Sequence, residues 1–394
     1  MTEMEEQLSR LFNMAAGEPP RQVSLKRVRR QAARSRAAGA AAVVTAVLVV
    51  AGVSVAVAGQ VRGPSAPAGR GPRVGVPPFY VVQDNSMSGP AVRATATGAV
   101  RARLRCPGSR GGQVQPRWIA FSGSREFFAI CERPFGPGPV AYRQTRLYRF
   151  TISGSGRVAS SSPVPGGALT GLWLGGIAAS QDGTRVAVTV DGSADHSAIH
   201  ANDVLVVDTR TGQHSVWRSA PRVPGRPYYG VGALSLTAHG TELAYLAQPL
   251  CGKQGYPCAN VSEEIRAIRL APGGGSLTGS RVLLRQSAVM RLSQGYIEDA
   301  VIAPDGRMLT LAIGRSGPGA DAGSVSVVQY SASTGHRLRV VYLRHTGNGF
   351  AYSAFAADAS GTHFMLDAGH NGWIDHGRLI PVPAGHLLVT WEAW

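Results

Sequence analysis

The residues that could bind a metal or transfer a proton are concentrated in two polar stretches of this sequence. The first, Asp191–Asp203, offers five carboxylate and imidazole groups: Asp191, Asp195, His196, His200 and Asp203. Both groups are common metal ligands. The second is more dispersed and contains His363, His370, His376 and His386. We interpret both as polar loops between strands, so the sequence predicts no metal and no cofactor.

Motifs for nucleophilic, nucleotide-dependent or zinc-dependent catalysis are absent from the sequence. It has no Gly-x-Ser-x-Gly elbow, no phosphate-binding loop and no His-Glu-x-x-His. Ser235, in Gly-Ala-Leu-Ser-Leu, falls on a predicted inner strand, and we interpret it as a core residue. The sequence therefore predicts a protein that is not an enzyme.

Short apolar segments followed by glycine turns recur along the chain and must position any site. The clearest copy runs from Ile177 through the turn Gln181-Asp182-Gly183 into Arg185–Val190, where valines alternate as in a strand. The turn position recurs at intervals of 58, 57, 66 and 55 residues, at Arg125, Gly183, Gly240, Gly306 and Gly361. Two copies also contain a second turn, which ends 29 residues after this position. It is Thr211-Gly212 in one copy and Thr334-Gly335 in the other.

Each copy predicts four short strands, which form a sheet that needs neighbours to bury its faces. The pattern resembles the bacterial WD-repeat-like and TolB-like β-propellers through Ser180–Gly183, Pro304–Gly306 and Val206–Gly212. The resemblance implies an all-β propeller of about six four-stranded blades, with seven as an alternative. Strands left over at both ends, Phe79–Val82 and Leu387–Trp391, predict that the last strand joins the first sheet.

The region before the propeller predicts a single transmembrane helix. Ala37–Ala58 has no charged residue, and 22 helical residues span about 33 Å, enough for a bilayer core. The basic run Arg21–Arg36 before it places the N-terminus in the cytoplasm. We predict four parts: a tail (1–36) with an amphipathic helix at Thr2–Ala16, a span (37–58), a Gly/Pro/Ala-rich tether (59–77) and an extracytoplasmic propeller (78–394). Cleavage near Ala58, which would release a secreted propeller, is the alternative.

The four cysteines predict two disulfides, because an extracytoplasmic domain is exposed to oxidising conditions. Cys251 and Cys258 lie in one loop, and their closeness in sequence favours them as a pair. Cys106 and Cys131 lie in the first part of the ring. The spacing between Cys251 and Cys258 is too wide for the close cysteine pairs of zinc sites.

Propeller topology predicts that long loops are gathered on one face and tight turns on the other. The predicted long loops are Pro134–Gln144, Asp191–Asn202, Pro221–Gly230, Gln248–Val261, Gly314–Gly323 and His345–Ala351. Aromatic and arginine side chains are the best anchors for a ligand on such a face. The predicted ligand-binding residues are Arg226, Tyr228, Tyr229, Tyr256, Tyr296 and Phe350.

The charge of the chain narrows the class of ligand. Its formal net charge is +17, but the basic run abuts the predicted span, so we do not expect nucleic-acid binding. We expect a membrane-tethered, non-enzymatic binding or scaffold module for a protein or an anionic envelope ligand. Two alternatives remain. One is a propeller lyase or hydrolase, which needs converging His, Asp or Glu at the channel mouth. The other is a sensor that signals through Thr2–Ala16.

Overall fold

The structure, a computed structural model, describes most of the predicted propeller. The described residues are 76–82, 90–107, 115–123, 125–133, 143–171, 174–191, 202–220, 228–251, 256–257, 262–289, 295–315, 323–346, 354–358, 360–367, 371–382 and 392–393. The predicted tail, span and most of the tether lie outside them. Within this part of the chain, no helix is long and apolar enough to cross a bilayer.

Six sheets follow one another along the chain, and each is one blade of a propeller. Blade 1 contains β1 (Phe79–Val82), β2 (Ala91–Ala94), β3 (Val100–Arg103) and the last strand of the chain, β26 (Glu392–Ala393). Blade 2 contains β4 (Gln115–Ser122), β5 (Glu126–Arg133), β6 (Arg143–Ile152) and β7 (Val158–Gly171). Blade 3 contains β8 (Leu174–Ala179), β9 (Arg185–Asp191), β10 (Asn202–Asp208) and β11 (His214–Arg218).

The remaining three blades repeat the four-stranded arrangement, with additions in blade 4. Blade 4 contains β12 (Tyr228–Leu236), β13 (Glu242–Cys251), β15 (Glu264–Arg269) and β17 (Arg281–Arg285), with β14 (Tyr256–Pro257) paired to β13. Blade 5 contains β18 (Gly295–Ile302), β19 (Met308–Arg315), β20 (Gly323–Ser331) and β21 (Arg337–Thr346). Blade 6 contains β22 (Ala354–Ala357), β23 (Phe364–Asp367), β24 (Asn371–Asp375) and β25 (Arg378–Pro381).

The first strands of the blades form a closed ring. Each of these strands contacts the next, in the order β4, β8, β12, β18, β22 and β26, and β26 contacts β4. The ring closes because β26 pairs with β1, with Glu392 opposite Val82 and Ala393 opposite Val81. This confirms six blades and the predicted joining of the last strand to the first sheet. The predicted final strand Leu387–Trp391 lies outside the described residues, and the pairing strand begins at Glu392.

The core is divided among the blade interfaces. Six apolar clusters each join two successive blades, including the pair made by blade 6 and blade 1. Ser235 lies at one of these interfaces, 7% exposed, and its hydroxyl accepts a hydrogen bond from the Ile302 amide at 3.0 Å. The prediction that Ser235 is a core residue is therefore confirmed.

A disulfide between Cys106 and Cys131 joins blade 1 to blade 2, with Cα atoms 5.9 Å apart. Cys106 follows β3, and Cys131 lies in β5. The cross-link therefore reinforces the blade that depends on the last strand for its completion. The side chains of Cys251 and Cys258 lie outside the described residues, and their disulfide stays a prediction.

The turn between the first two strands of a blade has the same backbone in five blades. Gly183, Gly240, Gly306 and Gly361 have φ between 59° and 72°, and Arg125, which stands in the glycine place, has φ 62°. This region of φ is accessible to glycine and costly for other residues. The repeat found in the sequence therefore corresponds to one recurring backbone shape.

Asp182 shows why an aspartate precedes the turn glycine. Its carboxylate accepts hydrogen bonds from the Ser180 hydroxyl at 2.7 Å and from the Thr184 amide at 3.0 Å. His239, from the next blade, contacts it at 3.1 Å. Although burial would raise it, these hydrogen bonds lower the pKa of Asp182 to about 2. The carboxylate is thus committed to fixing the turn.

A second recurring feature lies near the beginning of the first strand. In β4, β8, β12 and β18 the pairing with the next strand shifts by one residue. These bulges begin at residues 117, 175, 232 and 298, each eight positions before the turn residues 125, 183, 240 and 306. A bulge leaves one residue unpaired and can re-aim its side chain.

Blade 4 carries an insertion that the repeat did not predict. Between β15 and β17 lies β16 (Gly275–Ser276), which pairs in parallel with the outer strand of blade 3 at Trp217 and Arg218. A 3₁₀ turn, Leu277–Gly279, follows it, and α1 (Gln286–Val289) follows β17. The added strand covers an edge that would otherwise be open.

Candidate functional site at the mouth of the channel

The strand order defines two faces of the ring. The turns from first to second and from third to fourth strand lie on one, which we call the tight-turn face. The other connections lie on the opposite, long-loop face, where each first strand begins. The bulges lie on the first strands, which form the ring around the channel.

Three carboxyl groups lie near one another where blades 4 and 5 meet, since the charge of Glu263 acts on Glu298 and that of Glu298 acts on Asp299. Glu298 is the extra residue of the bulge in β18, Asp299 follows it, and Glu263 directly precedes β15. Glu263 accepts hydrogen bonds from the Ile297 amide and from Gln248 Nε2, the latter at 3.4 Å. We call Glu263, Glu298 and Asp299 the carboxyl cluster.

Burial and mutual repulsion make the cluster hold protons. Burial, reinforced by the charge of Glu263, raises the pKa of Glu298 to about 7. Burial also raises the pKa of Asp299 to about 7, with the Ala300 amide opposing the shift and Glu298 adding to it. Burial raises the pKa of Glu263 against its two hydrogen bonds. At neutral pH such a pair can supply both a protonated acid and an ionised base.

Glu264, the residue that follows Glu263, has the opposite environment. Glu264 is 8% exposed and forms ion pairs with Arg266 Nε at 2.8 Å and Arg285 Nε at 3.0 Å. Burial would raise the pKa of Glu264, but the hydrogen bonds from both arginines outweigh it and lower the pKa. The pKa values of the two neighbouring glutamates are therefore shifted in opposite directions, upward for Glu263 and downward for Glu264.

The predicted ligand-binding residues lie partly at strand ends instead of in loops. Tyr228 and Tyr229 begin β12, Tyr256 lies in β14, and Tyr296 lies in β18. The backbone register places Tyr228 opposite Leu250, which in turn pairs with Pro257, so three of these tyrosines share one end of blade 4. Arg226 and Phe350 lie outside the described residues.

Tyr229 is the predicted contact residue whose side chain the structure describes. It is 37% exposed, and the Arg266 guanidinium lies over its ring, 5.7 Å from the centroid. Because Arg266 also holds Glu264, an exposed aromatic ring and a fixed charge are positioned on the same blade as Glu263. Whether the six predicted residues contact a ligand stays a prediction.

The polar stretches singled out in the sequence do not assemble into a site in the described part of the chain. Among those residues, no three His, Cys, Asp or Glu side chains are grouped to hold a metal ion. Asp203 accepts a hydrogen bond from the Ser219 amide at 3.0 Å, and His363 pairs with Asp358 at 2.9 Å. Asp195, His196, His200, His370 and His386 lie outside the described residues.

The carboxyl cluster was missed because Glu263 lies 35 residues before the adjacent pair Glu298 and Asp299 in the sequence, and the three belong to no motif. The repeat contained a signal: counting back eight residues from each turn reaches Arg117, Gly175, Gly232 and Glu298. A charged residue at a place where two other blades have glycine marks a departure from the repeat. It could be recognised only with the knowledge that this place is a bulge.

Comparisons with known proteins give structural likenesses at low sequence identity. No protein-family profile matches the sequence, and no curated protein matches it. The hydrazine synthase of Kuenenia stuttgartiensis is similar in structure with 13% identity and a TM-score of 0.41, over 79% of this chain and 77% of that one. The Dos1 propeller matches at 8% identity and 0.40, over 77% and 78%. A puromycin hydrolase matches at 13% and 0.43, over 78% of this chain and 45% of that one.

These findings correct the prediction that the protein is not an enzyme. Hydrolases and peptidases recur among the similar structures, and this chain spans 34–45% of the length of several of them. Likeness at this level assigns no activity or substrate to this chain. The chain is a six-blade β-propeller in which the pKa values of Glu298 and Asp299, at the bulge of the first strand of blade 5, are raised to about 7.

Proposed function

We propose that the protein is a propeller enzyme that cleaves an anionic substrate by acid–base chemistry at the carboxyl cluster. The observation that carries the proposal is that Glu298 and Asp299 lie at the bulge of β18, the first strand of blade 5, with Glu263 of blade 4 near enough to raise the pKa of Glu298. Bulges next to active sites serve to aim side chains. Clusters of titratable groups with shifted pKa in a concave place are typical of catalytic sites.

The chemistry follows from a proton shared between neighbouring carboxyl groups. Because Glu298 and Asp299 both titrate near neutral pH, one of them is protonated while the other is ionised over a range around pH 7. The protonated group donates to the leaving atom, and the ionised group accepts a proton from water or from the substrate. These two roles are those of a hydrolase or a lyase.

The surroundings of the cluster favour a negatively charged substrate. Arg266 and Arg285 lie on the same blade as Glu263, and Arg285 is more than half exposed. The residues after the predicted span carry 32 basic and 19 acidic side chains, a formal net charge of +13 with His neutral. A basic surface raises the local concentration of anionic ligands, so an envelope polymer bearing carboxylate or phosphate groups is the substrate class that we favour.

We further propose that residues 37–58 anchor the propeller outside the cytoplasm, with the N-terminus inside. The uncharged run, its basic flank and the Cys106–Cys131 disulfide support this location, because structural disulfides are typical of oxidising compartments. Protease added to intact spheroplasts should then digest the propeller or its tether. Protection of the whole C-terminal part would overturn the proposed topology.

The enzymatic proposal is tested with the full chain in detergent on chromogenic glycosides and esters, each in neutral and anionic form. We expect turnover of an anionic substrate with a pH optimum near 7 and a loss of about 10²–10⁴-fold in kcat for Glu298→Gln. Glu242→Gln is the matched control, since Glu242 pairs with Arg281 at 3.2 Å on the tight-turn face. Equal rates in Glu298→Gln and the wild type, or no turnover in the panel, would contradict the proposal.

Ligand binding on the long-loop face is a second candidate function, favoured by exposed Tyr229 under the Arg266 guanidinium. It can be separated from catalysis by capturing envelope polymer on immobilised protein. A protein that binds would retain polymer in the Glu298→Gln form and lose it in Tyr229→Ala. Equal retention by Tyr229→Ala and the wild type would argue against a role for this ring.

A further inference from the structure

A second concave site lies away from the channel, where the outer strands of blades 4 and 5 diverge. It is a cleft of about 600 Å³, which we call the outer cleft, and this volume is within the range of small-molecule sites. Its floor and walls are formed largely by one face of blade 5. The apolar lining includes Ile313, Val328, Val340 and Leu343, and the cations are Arg315 and Arg337.

The mouth of the outer cleft is unusually apolar for an exposed strand. Val340 is 48% exposed and Leu343 is 53% exposed, both on β21, the outer strand of blade 5. Ile313 and Val328 lie deeper, at 1% and 5% exposure, and belong to the core between the two blades. The cleft therefore offers a continuous apolar path from the core to the surface.

The charged groups that line the cleft are both cationic, and one nitrogen of Arg315 lacks a hydrogen-bond partner. Nε of Arg315 is buried and has no hydrogen-bond partner among the described residues. An unpaired buried donor is costly, so an acceptor from a ligand would satisfy it. Burial raises the pKa of Tyr330, and the charges of Arg337 and Arg315 both oppose that rise. Both guanidinium groups therefore act on the same part of the cleft, and no acidic residue lines it.

We propose that the outer cleft binds a single-chain anionic amphiphile, with its carboxylate or phosphate head on Arg315 and its alkyl chain along Ile313, Val328, Val340 and Leu343. The head satisfies the unpaired guanidinium donor with a charge-assisted hydrogen bond. The chain removes the exposed apolar side chains of β21 from water. This site is separate from the carboxyl cluster and does not depend on the proposed enzymatic function.

The test uses the full chain in phosphatidylcholine nanodiscs and a decanoic acid carrying a diazirine on its chain. After illumination, peptide mapping measures labelling of residues 308–346. We expect labelling there to fall at least ten-fold in Arg315→Gln. Arg339→Gln is the matched control, because Arg339 donates to Gln329 Oε1 at 2.6 Å and does not line the cleft. Its labelling should equal that of the wild type.

Competition by other compounds distinguishes the contribution of the anionic head group from that of the alkyl chain. Decanoate and decyl phosphate should both suppress labelling, whereas decyltrimethylammonium, acetate and inorganic phosphate should not. Val340→Asp, at a half-exposed position that can accept a charge without unfolding the blade, should also suppress it. Equal labelling in Arg315→Gln, or suppression by the cationic amphiphile, would reduce the cleft to a nonspecific apolar surface. Suppression by acetate or inorganic phosphate would make it a small-anion site, and either outcome overturns the proposal.

Discussion

Glu298 and Asp299 hold protons near neutral pH, and this has a measurable effect on stability. Their ordinary pKa values of 4.5 and 3.8 are raised to about 7 in the fold. As pH rises from about 4 to 7, the unfolded chain therefore loses these protons before the folded one does. The folded state is then progressively disfavoured over that interval, because ionising the folded cluster is the costly step.

We expect the midpoint of thermal unfolding of the wild type to fall relative to that of Glu298→Gln as pH rises from 5 to 8. The comparison between variants removes the contribution of the other charges of this basic protein. Glu242→Gln should follow the wild type at every pH. If all three melting curves shifted in parallel, the carboxyl cluster would not be proton-holding.

For single residues, the sequence predicted whether a residue is buried or lies in a turn better than it predicted which residues contact one another. It predicted Ser235 as core and the turn position at Arg125, and the structure confirms both. It did not identify Glu263 and Glu298 as neighbours, because they come from different blades and meet only when the sheets are packed. Their raised pKa values depend on burial, which the sequence pattern around each glutamate does not reveal.

The β8–β9 hairpin shows how one turn residue controls a whole element. Gly183 has φ 66°, and a Cβ there would lie 2.9 Å from Glu126 Oε2 of the preceding blade. We expect Gly183→Val to lower the free energy of unfolding by about 1–3 kcal/mol from backbone strain, with the contact adding to this loss. Denaturant unfolding followed by circular dichroism measures the change.

Arg125 permits the reverse substitution, because it has φ 62° at the corresponding turn position although it is not glycine. Arg125→Gly should therefore leave stability unchanged or raise it by up to about 1 kcal/mol. If Gly183→Val were as stable as the wild type, positive φ would not be required at this turn. The recurring glycine would then not be explained by the backbone conformation.

Most elements could be predicted because period, alternation and turn chemistry agree along the chain. β9 begins at the first residue of the predicted strand Arg185–Val190 and ends one residue after it. The additions in blade 4 could not be predicted, since β14 and β16 are two-residue strands that exist through their partners. The interval of 66 residues before Gly306 did mark the place of the insertion, but not that it would cover the edge of blade 3.

The ring is held together by six similar interfaces, but only one of them depends on both ends of the chain. Blades 2 to 6 are each formed from a continuous segment, whereas blade 1 needs β26, which contributes two residues to the pairing with β1. β26 also contacts β22 and β4 in its two neighbouring blades. A small segment therefore completes both a sheet and the wall of the channel.

Ending the chain after Trp391 should consequently open the ring at blade 1. Val81 and Val82, which are buried, would lose their pairing with β26 and keep only that with β2, and blades 6 and 2 would lose contact with the inner strand. We expect a lower thermal midpoint and concentration-dependent association through the exposed edge, measured by melting and by size-exclusion chromatography. Deleting Trp394 alone is the control, since it leaves the paired residues intact.

Reduction of Cys106–Cys131 provides a test of how closure and cross-link cooperate. The disulfide encloses 25 residues and should stabilise the intact chain by about 3 kcal/mol. In the shortened chain it remains as a cross-link between blade 1 and blade 2, beside the apolar cluster that joins them. The loss of stability when β26 is removed and the disulfide is reduced together should then exceed the sum of the two separate losses, as expected for changes that share partners. Additive effects would mean that β26 and the disulfide stabilise blade 1 independently, and that the ring does not close as one cooperative unit.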